Sequence, residues 1–565
     1  MGIKHYWKWF REHFHASILR KKKTEKFEKT VDNLLIDMNG IFHNSAQKIF
    51  RYGSHKPVQR LLGADRPPRL PYRETQQKVF EHVCETIDEL VRYVQPRKRL
   101  VLCVDGPAPI AKQCQQRSRR FMSALEASTG PRPPFDSNSI TPGTKFMDFL
   151  GKYIDWYIKK RMSEQGSLWG KLEVIFSNEK VAGEGEYKIF HYIRNSPTKD
   201  QETYCIHGMD ADLIMLALST QLSNLYILRD DPTESEYDYY LIDIGSVRVD
   251  MLKVLYWGEG FKANSGINDF VVMCFAVGND FLPHIPGIEI IEGGIDFMID
   301  VYKNIGKSYG HITKPCATGV RLRRRALEPF LGTLAQYEKL VFEQKLSHAD
   351  EFFPDPMLNM CENPETREFD IEKYREMYYA EKFGNFRDIE QMVCLTYLEG
   401  MQWVLNYYTH GVPDWKWYYP YHYAPFAHTL ATYAGCLEFS EYKESSPTMP
   451  FVQLLSVLPG SSSRLLPAPL CDLFEKQLKK FCPTDFKVDL AGKRQRWEGT
   501  VILPFIDYGF VEKLYLDLLE QIDEKEQRRN MLGNTFLYTP GRMRYVFKSF
   551  YGDLDCKVNV QKFSI

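Results

Sequence analysis

Two pairs of acidic residues, each pair separated by a single residue, stand beside apolar stretches of the chain. Glu184 and Glu186 lie in "VAGEGEYKIF" shortly after the run "LEVIF", and Asp210 and Asp212 lie in "YCIHGMDADLIML". Two like charges about 4 Å apart repel by about 4 kcal/mol at an effective dielectric near 20. A solvated turn explains either pair alone. Two such pairs, each after a strand-like run, predict a compensating positive charge.

The acidic residues follow segments that read as buried strands. Short, nearly continuous apolar runs alternate with longer helical segments, which indicates an α/β fold with a mostly parallel sheet flanked by helices. The predicted strands are "NLLIDM" (33–38), "RLVLCVD" (99–105), "KLEVIFS" (171–177), "TYCIHG" (203–208) and "NLYILRD" (224–230). Residues 75–94 and 144–162 have the periodicity of amphipathic helices.

Parallel strands would bring these acids to one edge of the sheet, where open α/β sheets bind their ligands. The acids in question are Asp37, Asp105, Glu184, Glu186, Asp210, Asp212 and Asp280. Any single one is explained by a helix cap or a turn. The whole set is better explained by two divalent cations, because Mg²⁺ and Mn²⁺ prefer oxygen ligands and a pair of ions suits phosphodiester cleavage.

A basic segment directly follows Asp105 in "GPAPIAKQCQQRSRRF". The spacing of Lys112, Gln116, Arg119 and Arg120 places them on one helix face. Clustered donors of this kind suit a terminal phosphate, although a solvated basic face has the same pattern. The neighbouring metal ligand favours a phosphate site.

Aromatic residues supply candidate stacking surfaces for nucleic acid. His43 follows Asp37 by six residues, and "DWKWYYPYHYAPF" (414–426) contains Trp415 and Trp417. For most of these side chains, packing in the hydrophobic core is the alternative to base stacking. An aromatic ring that faces a nucleic-acid channel would stack on bases whatever their sequence.

The bulk composition excludes several classes of protein. The 565-residue chain carries 73 Lys+Arg against 73 Asp+Glu, so a nucleic-acid site must be a local patch. Its twelve cysteines include no C-x-x-C pair, which argues against a zinc knuckle. No run of about twenty apolar residues occurs, so we expect no membrane partner. The N-terminus lacks the apolar core of a signal peptide, and an intracellular protein is expected.

The motifs together resemble the XRN family of 5′→3′ exoribonucleases over nearly the whole chain. The matching segments are "LLIDMNGIFHN", "VDGPAPIAKQCQQRSRRF", "FDSNSITPGTKFM", "IFSNEKVAGEGEYKIFHYIR", "IHGMDADLIMLALST", "FVVMCFAVGNDFLPHIPG", "YLEGMQWVLNYYTHGVPDWKWYYPYHYAPF", "PFVQLLSVLP", "PTDFKVDLAGKRQRWEG" and "VILPFID".

The resemblance implies roles for the candidate residues by motif position. The seven acids would form a two-magnesium site, with Mn²⁺ as a substitute. Lys112, Gln116, Arg119 and Arg120 would bind a 5′-monophosphate, and His43 would stack on the first bases. Trp415, favoured over Trp417, would form the other side of the stack. Two positions depart from the family pattern, Ile110 for a basic residue and Tyr187 for a histidine.

The resemblance also implies the fold and the reaction. We expect a PIN-like nuclease domain over 1–300, an irregular connector over 301–384, and a helical, aromatic-rich second region over 385–565 that closes the active site. The expected activity is processive, magnesium-dependent 5′→3′ hydrolysis of single-stranded, 5′-monophosphorylated RNA to mononucleotides in mRNA decay. A monomer is expected, in the cytoplasm rather than the nucleus, with the decapping machinery as a candidate partner.

Two other functions remain open at this point. PIN-like folds also host structure-specific DNA endonucleases, against which the basic helix and the second region argue. A non-catalytic RNA-binding protein built on a decayed nuclease would lack at least one carboxylate, whereas all seven are present.

Overall fold

A computed structural model describes residue 3 and residues 5–55, 71–128, 133–233, 236–317, 319–348, 354–438 and 442–564. Its strands, in chain order, are β1 (Ile18–Lys21), β2 (Asn33–Asp37), β3 (Arg99–Cys103), β4 (Glu173–Ser177), β5 (Tyr204–His207), β6 (Leu225–Asp230), β7 (Tyr239–Asp243), β8 (Thr313–Cys316), β9 (Gly319–Leu322), β10 (Val488–Asp489), β11 (Thr500–Val501), β12 (Thr535–Phe547) and β13 (Leu554–Phe563).

The helices surround a large sheet and form a second, mainly helical region. They are α1 (Tyr6–His13), α2 (Met38–Phe50), α3 (Tyr72–Val94), α4 (Ile110–Ser128), α5 (Lys145–Ser163), α6 (Gly185–Asn195), α7 (Asp212–Ser219), α8 (Ile244–Leu255), α9 (Ala263–Phe275), α10 (Gly294–Tyr309), α11 (Arg324–Ser347), α12 (Pro356–Met360), α13 (Ile371–Phe383), α14 (Ile389–Thr409), α15 (Ala427–Ala434), α16 (Pro450–Val457), α17 (Ala468–Cys471), α18 (Tyr508–Leu518) and α19 (Glu524–Gln527). Among these described helices, none is both long and apolar enough to cross a lipid bilayer.

The central sheet has nine strands in the order β1-β7-β6-β5-β2-β3-β4-β12-β13. Its middle strands β6, β5, β2, β3 and β4 are parallel, whereas β7, β1, β12 and β13 pair antiparallel. The five parallel strands are the five predicted from the sequence, and the α/β fold class is confirmed. The chain runs from β2 to β3 and β4 on one side and returns to β5 and β6 on the other. A ligand-binding crevice is expected where the order reverses, beyond the end of β2.

The central strands are buried on both faces, which explains their continuous apolar sequences. Leu34 and Leu100 belong to one core cluster, together with residues of α2, α3 and α5. Leu35 and Val101, their neighbours along the strands, belong to the cluster formed with α6, α7, α9 and α14. Since side chains alternate across a strand, two helical layers cover one sheet. The helices predicted at 75–94 and 144–162 are α3 and α5.

The expectation of an irregular connector over 301–384 is wrong, because most of this segment is helical. Helix α11 spans Arg324–Ser347 and packs on α15. Its buried residues Leu327, Phe330, Leu331 and Leu334 have helical spacing. The basic run before them and Pro329 within the helix obscured that pattern.

The end of the chain returns to the first sheet. Strand β12 pairs with β4, and β13 then forms the edge of the sheet. Residues of the expected second region thus complete the nuclease sheet. The proposed division of the chain at residues 300 and 384 stays a prediction.

Candidate active site

Six of the seven predicted acids stand at or just beyond the carboxyl ends of the parallel strands or at the helix starts that follow them, whereas Asp280 follows α9. Asp37 is the last residue of β2, and Glu184 precedes α6. The backbone N–H of Gly185 donates to Asp105 Oδ1 at 2.7 Å. A Cβ atom on Gly185 would lie 2.4 Å from Asp37 Oδ1. Glycine between the two glutamates therefore lets the start of α6 approach both aspartates.

Glu186, Asp210 and Asp212 form the tightest group of acids in the part of the chain that the structure describes. Each offers an oxygen, and the three oxygens lie within 4.8 Å of one another. Buried oxygens of Asp37, Glu186 and Asp212 lack a hydrogen-bond partner. An all-oxygen set with unsatisfied buried acceptors fits a hard divalent cation.

Lys112 supplies part of the compensating charge predicted from the sequence. Its Nζ lies 2.7 Å from Asp280 Oδ2, 2.8 Å from Glu184 Oε1 and 3.8 Å from Glu186 Oε1. Burial lowers the pKa of Lys112, but these carboxylates outweigh it and raise the pKa well above its ordinary value. Burial raises the pKa of Glu184 to about 7, against the opposing effect of Lys112.

The position of Lys112 differs from its predicted grouping with the phosphate donors. The residue lies in the first turn of α4, which begins shortly after β3. Helical side chains lean toward the helix N-terminus, so this ammonium reaches back to the carboxylates. Its contribution to phosphate binding stays a prediction.

The rest of the basic helix face lies beside His43. Arg119 is exposed, while Gln116 and Arg120 are half-buried, and Arg120 Nη1 is buried without a hydrogen-bond partner. Burial and the charge of Arg119 lower the pKa of Arg120 to about 10. Burial, Arg119 and Arg120 lower the pKa of His43 to about 4. His43 is therefore neutral at pH 7 and lies close to both arginines.

The two candidate tryptophans have different surroundings. The carbonyl oxygen of Trp415 accepts from the N–H of Ile110 at 2.9 Å, which holds this loop against the start of α4. The Trp415 ring meets Tyr187 edge-on, with centroids 6.2 Å apart. Trp417 instead stacks on the fully buried Trp403 at 5.2 Å. The Trp415 ring thus contacts Tyr187, the residue that follows Glu186 in the chain, and its stacking on a base stays a prediction.

Several polar residues that the sequence did not single out hold the acids in place. Asn39 Oδ1 accepts from the N–H of Asp105 at 3.0 Å, and Gln115 Nε2 donates to Asp280 Oδ1 at 3.2 Å. Tyr407 OH donates to Glu184 Oε2 at 3.2 Å. Asn39 and Gln115 stand within the recognised motifs, which was an available signal. Tyr407 also stands within a recognised motif, but nothing in the local sequence indicates its partner, which lies 223 residues away.

Comparisons with known proteins identify the family of this chain. A model of the N-terminus of XRN 5′-3′ exonucleases matches residues 1–231, and a model of the Xrn1 helical domain matches residues 260–368 and 369–562. A 5′-3′ exoribonuclease 2 homolog from Drosophila melanogaster is 29% identical, over 90% of this chain and 68% of its own length. The 5′-3′ exoribonuclease 1 of Homo sapiens is 30% identical over 94% of this chain, which spans 35% of that protein.

Two further comparisons mark the range of similarity. The 5′-3′ exoribonuclease 1 of Saccharomyces cerevisiae is 27% identical over 90% of this chain and 43% of its own length. Among solved structures, the catalytic core of Rad2 in complex with DNA aligns with a TM-score of 0.29 and 11% identity, over 68% of this chain and 95% of that one. At this TM-score and identity, the alignment supports no conclusion about function.

Proposed function

Because this chain belongs to the XRN family of 5′-3′ exonucleases, we propose that it is a processive 5′→3′ exoribonuclease acting in mRNA decay. Its substrate is single-stranded RNA with a 5′-monophosphate, which it hydrolyses to mononucleotides. The observation that carries this proposal is the position of α4. The helix starts beside the acids, where Lys112 meets Glu184, and continues to Arg119 and Arg120 beside His43.

The acids would hold two Mg²⁺ ions, for which Mn²⁺ can substitute. Glu186, Asp210 and Asp212 provide the group of oxygens that best fits one ion. When bound, divalent cations lower the pKa of an attacking water and stabilise the leaving oxygen. Asn39 and Gly185 orient the Asp105 segment through hydrogen bonds to its backbone N–H and its carboxylate, respectively. Tyr407 orients Glu184 in the same way.

The basic face of α4 would bind the terminal phosphate of the RNA. Arginine grips phosphate oxygens in pairs, and a donor amide such as that of Gln116 adds a neutral hydrogen bond. Neutral His43 would stack on the first bases, with Trp415 on the other side. A site between α4 and the second region would admit one unpaired strand by its 5′ end.

Three accompanying properties are proposed from the family resemblance. They are a monomeric state, an intracellular and mainly cytoplasmic location, and delivery of substrate by the decapping machinery.

The experiment that tests this function uses one single-stranded RNA labelled at its 3′ end. The RNA carries a 5′-monophosphate, a 5′-triphosphate or a 5′-hydroxyl, and each is incubated with the protein and Mg²⁺ or with EDTA. We expect rapid loss of the monophosphate form in Mg²⁺, with no discrete intermediates. A ladder of products would contradict processivity, and equal loss of all three forms would contradict the phosphate site. Tight binding of the RNA without cleavage would refute the proposed exoribonuclease activity.

A further inference from the structure

A fully buried glutamine of the second region joins two parts of the candidate site. Gln453 lies on α16, with none of its surface exposed. Its Oε1 accepts from the N–H of Ala108 at 2.9 Å, in the loop that follows Asp105. Its Nε2 donates to Oε1 of Gln116, on the basic face of α4, at 3.3 Å. One amide therefore links the loop after β3 to a predicted phosphate donor.

The hydrogen bond from Ala108 to Gln453 fixes the direction of the hydrogen bond between Gln453 and Gln116. The backbone N–H of Ala108 can only donate, so the oxygen of the Gln453 amide must face it. The NH₂ group of Gln453 must then face Gln116 and meet an acceptor there, which is Gln116 Oε1. The NH₂ group of Gln116 is consequently left to point away from Gln453. An amide has one donor end and one acceptor end, so this orientation decides which end is available to a ligand.

We propose that Gln453 is a positioning residue that selects for phosphorylated 5′ ends, an inference that rests on the proposed phosphate site. By occupying Gln116 Oε1, it keeps that oxygen away from the anion and leaves only the donor end of Gln116 for the phosphate. The opposite orientation would place a carbonyl oxygen against phosphate oxygens, which repels them. The selectivity of α4 for a 5′-phosphate thus depends on the Gln453 amide, which belongs to the second region.

The substitution Gln453→Glu tests this role by reversing the direction of the hydrogen bond between residues 453 and 116. When ionised, a glutamate still accepts from the N–H of Ala108 but presents an acceptor to Gln116, so the assay is run at about pH 8.5 to keep this buried carboxyl charged. The Gln116 amide is then expected to turn its NH₂ group toward position 453 and its oxygen toward the phosphate. We expect the ratio of kcat/KM for 5′-monophosphate RNA over 5′-hydroxyl RNA to fall about tenfold or more, mainly through KM. Thermal unfolding of the variant, compared with the wild type, reports whether the protein is folded.

A matched control is available on α4 itself. Gln113 is also fully buried, and its Nε2 donates to the carbonyl oxygen of Ala108 and to Thr448 Oγ1. Gln113→Glu makes the same chemical change without contacting Gln116, but it sets an acceptor against the Ala108 carbonyl oxygen. It therefore controls for displacement of this loop, and the ratio should fall less than in Gln453→Glu. A second variant, Gln453→Met, keeps the volume without adding charge and frees the Gln116 amide. A smaller fall in the ratio is expected for it.

The decisive comparison repeats Gln453→Glu in a Gln116→Ala background. If Gln453 acts through Gln116, the substitution changes the ratio no further there. A further fall of similar size would mean that the new charge repels the phosphate directly, and would overturn the proposal, as would a wild-type ratio in both Gln453 variants. A wild-type enzyme without any preference for the monophosphate would instead refute the phosphate site itself.

Discussion

At the scale of single residues, burial decides the behaviour of the carboxylates in this protein. Glu179 and Glu186 are both buried, and burial raises the pKa of each. Glu186 faces Asp212 and Lys112, whereas Glu179 lies against Gly151 of α5. The carboxylate of Glu179 has a buried oxygen without a partner, yet it lies outside the group of acids that fits a cation. Glu179 is therefore expected to affect the free energy of unfolding rather than the cleavage reaction.

We predict that Glu179 makes the fold less stable as the pH rises. Burial raises its pKa from 4.5 to about 7, so the native state favours the protonated form. That stabilisation is present in full below about pH 4.5 and is lost as the pH rises to about 7. The loss is on the order of 3 kcal/mol at 1.36 kcal/mol per pKa unit. Urea unfolding at pH 5 and pH 7.5 checks it, because Glu179→Gln should remove this part of the pH dependence. An equal pH dependence in both proteins would contradict the prediction.

Trp415 and Trp417 should separate binding from stability. Trp417 stacks on Trp403, so Trp417→Ala should lower the free energy of unfolding by about 3 kcal/mol. Trp415 is held by backbone bonds to Ile110 and Ser445, which an alanine retains. Trp415→Ala should therefore leave stability within about 1 kcal/mol and weaken RNA binding by about 1–3 kcal/mol. Chemical unfolding and RNA titration measure the two effects, and the reverse pattern would reassign the stacking residue.

At the scale of elements, the strands that could be predicted from the sequence are those with a local hydrophobic pattern. The five central strands were readable because burial on both faces demands continuous apolar runs, as in "NLLID" of β2. The acids followed from them, since parallel strands end at a common edge. Pairing between distant segments leaves no such local sign, and β12 was missed because it pairs with β4 more than 350 residues earlier. The ion pairs of Lys112 were missed because a helix face does not show which neighbour each side chain reaches.

Arg117 should contribute strongly to the attachment of α4 to the second region, beside the bonds made by Gln113 and Gln116. Arg117 is 4% exposed and donates to the backbone carbonyl oxygens of Ser456, Phe481 and Pro504. Arg117→Met would leave these buried acceptors unsatisfied and should cost about 3 kcal/mol of stability. Arg119→Met is the control, because Arg119 is exposed on the same helix. It should change the free energy of unfolding by less than about 0.5 kcal/mol while weakening binding of 5′-monophosphate RNA. Similar stabilities for the two variants would contradict this account of α4.

At the scale of the whole molecule, equal numbers of acidic and basic residues place the important electrostatics in the site. Lys+Arg and Asp+Glu both number 73, so no net field attracts cations or RNA. The acids at the sheet edge repel one another, and Lys112 balances only part of their charge. Folding without a cation therefore retains repulsion that a bound cation would remove.

We predict that Mg²⁺ stabilises the whole protein through this edge. A ligand that binds only the folded state adds about 2.7 kcal/mol when its concentration is 100 times its Kd. In EDTA, Asp212→Asn should be at least as stable as the wild type, because it removes a buried carboxylate whose pKa is raised to about 7 by burial and by Asp210. In Mg²⁺, the wild type should gain stability and the variant should gain much less. Thermal unfolding in a Mg²⁺ titration, with KCl at matched ionic strength, separates specific binding from screening. Equal gains in both proteins would place the cation elsewhere, and an equal gain in KCl would reduce the effect to screening.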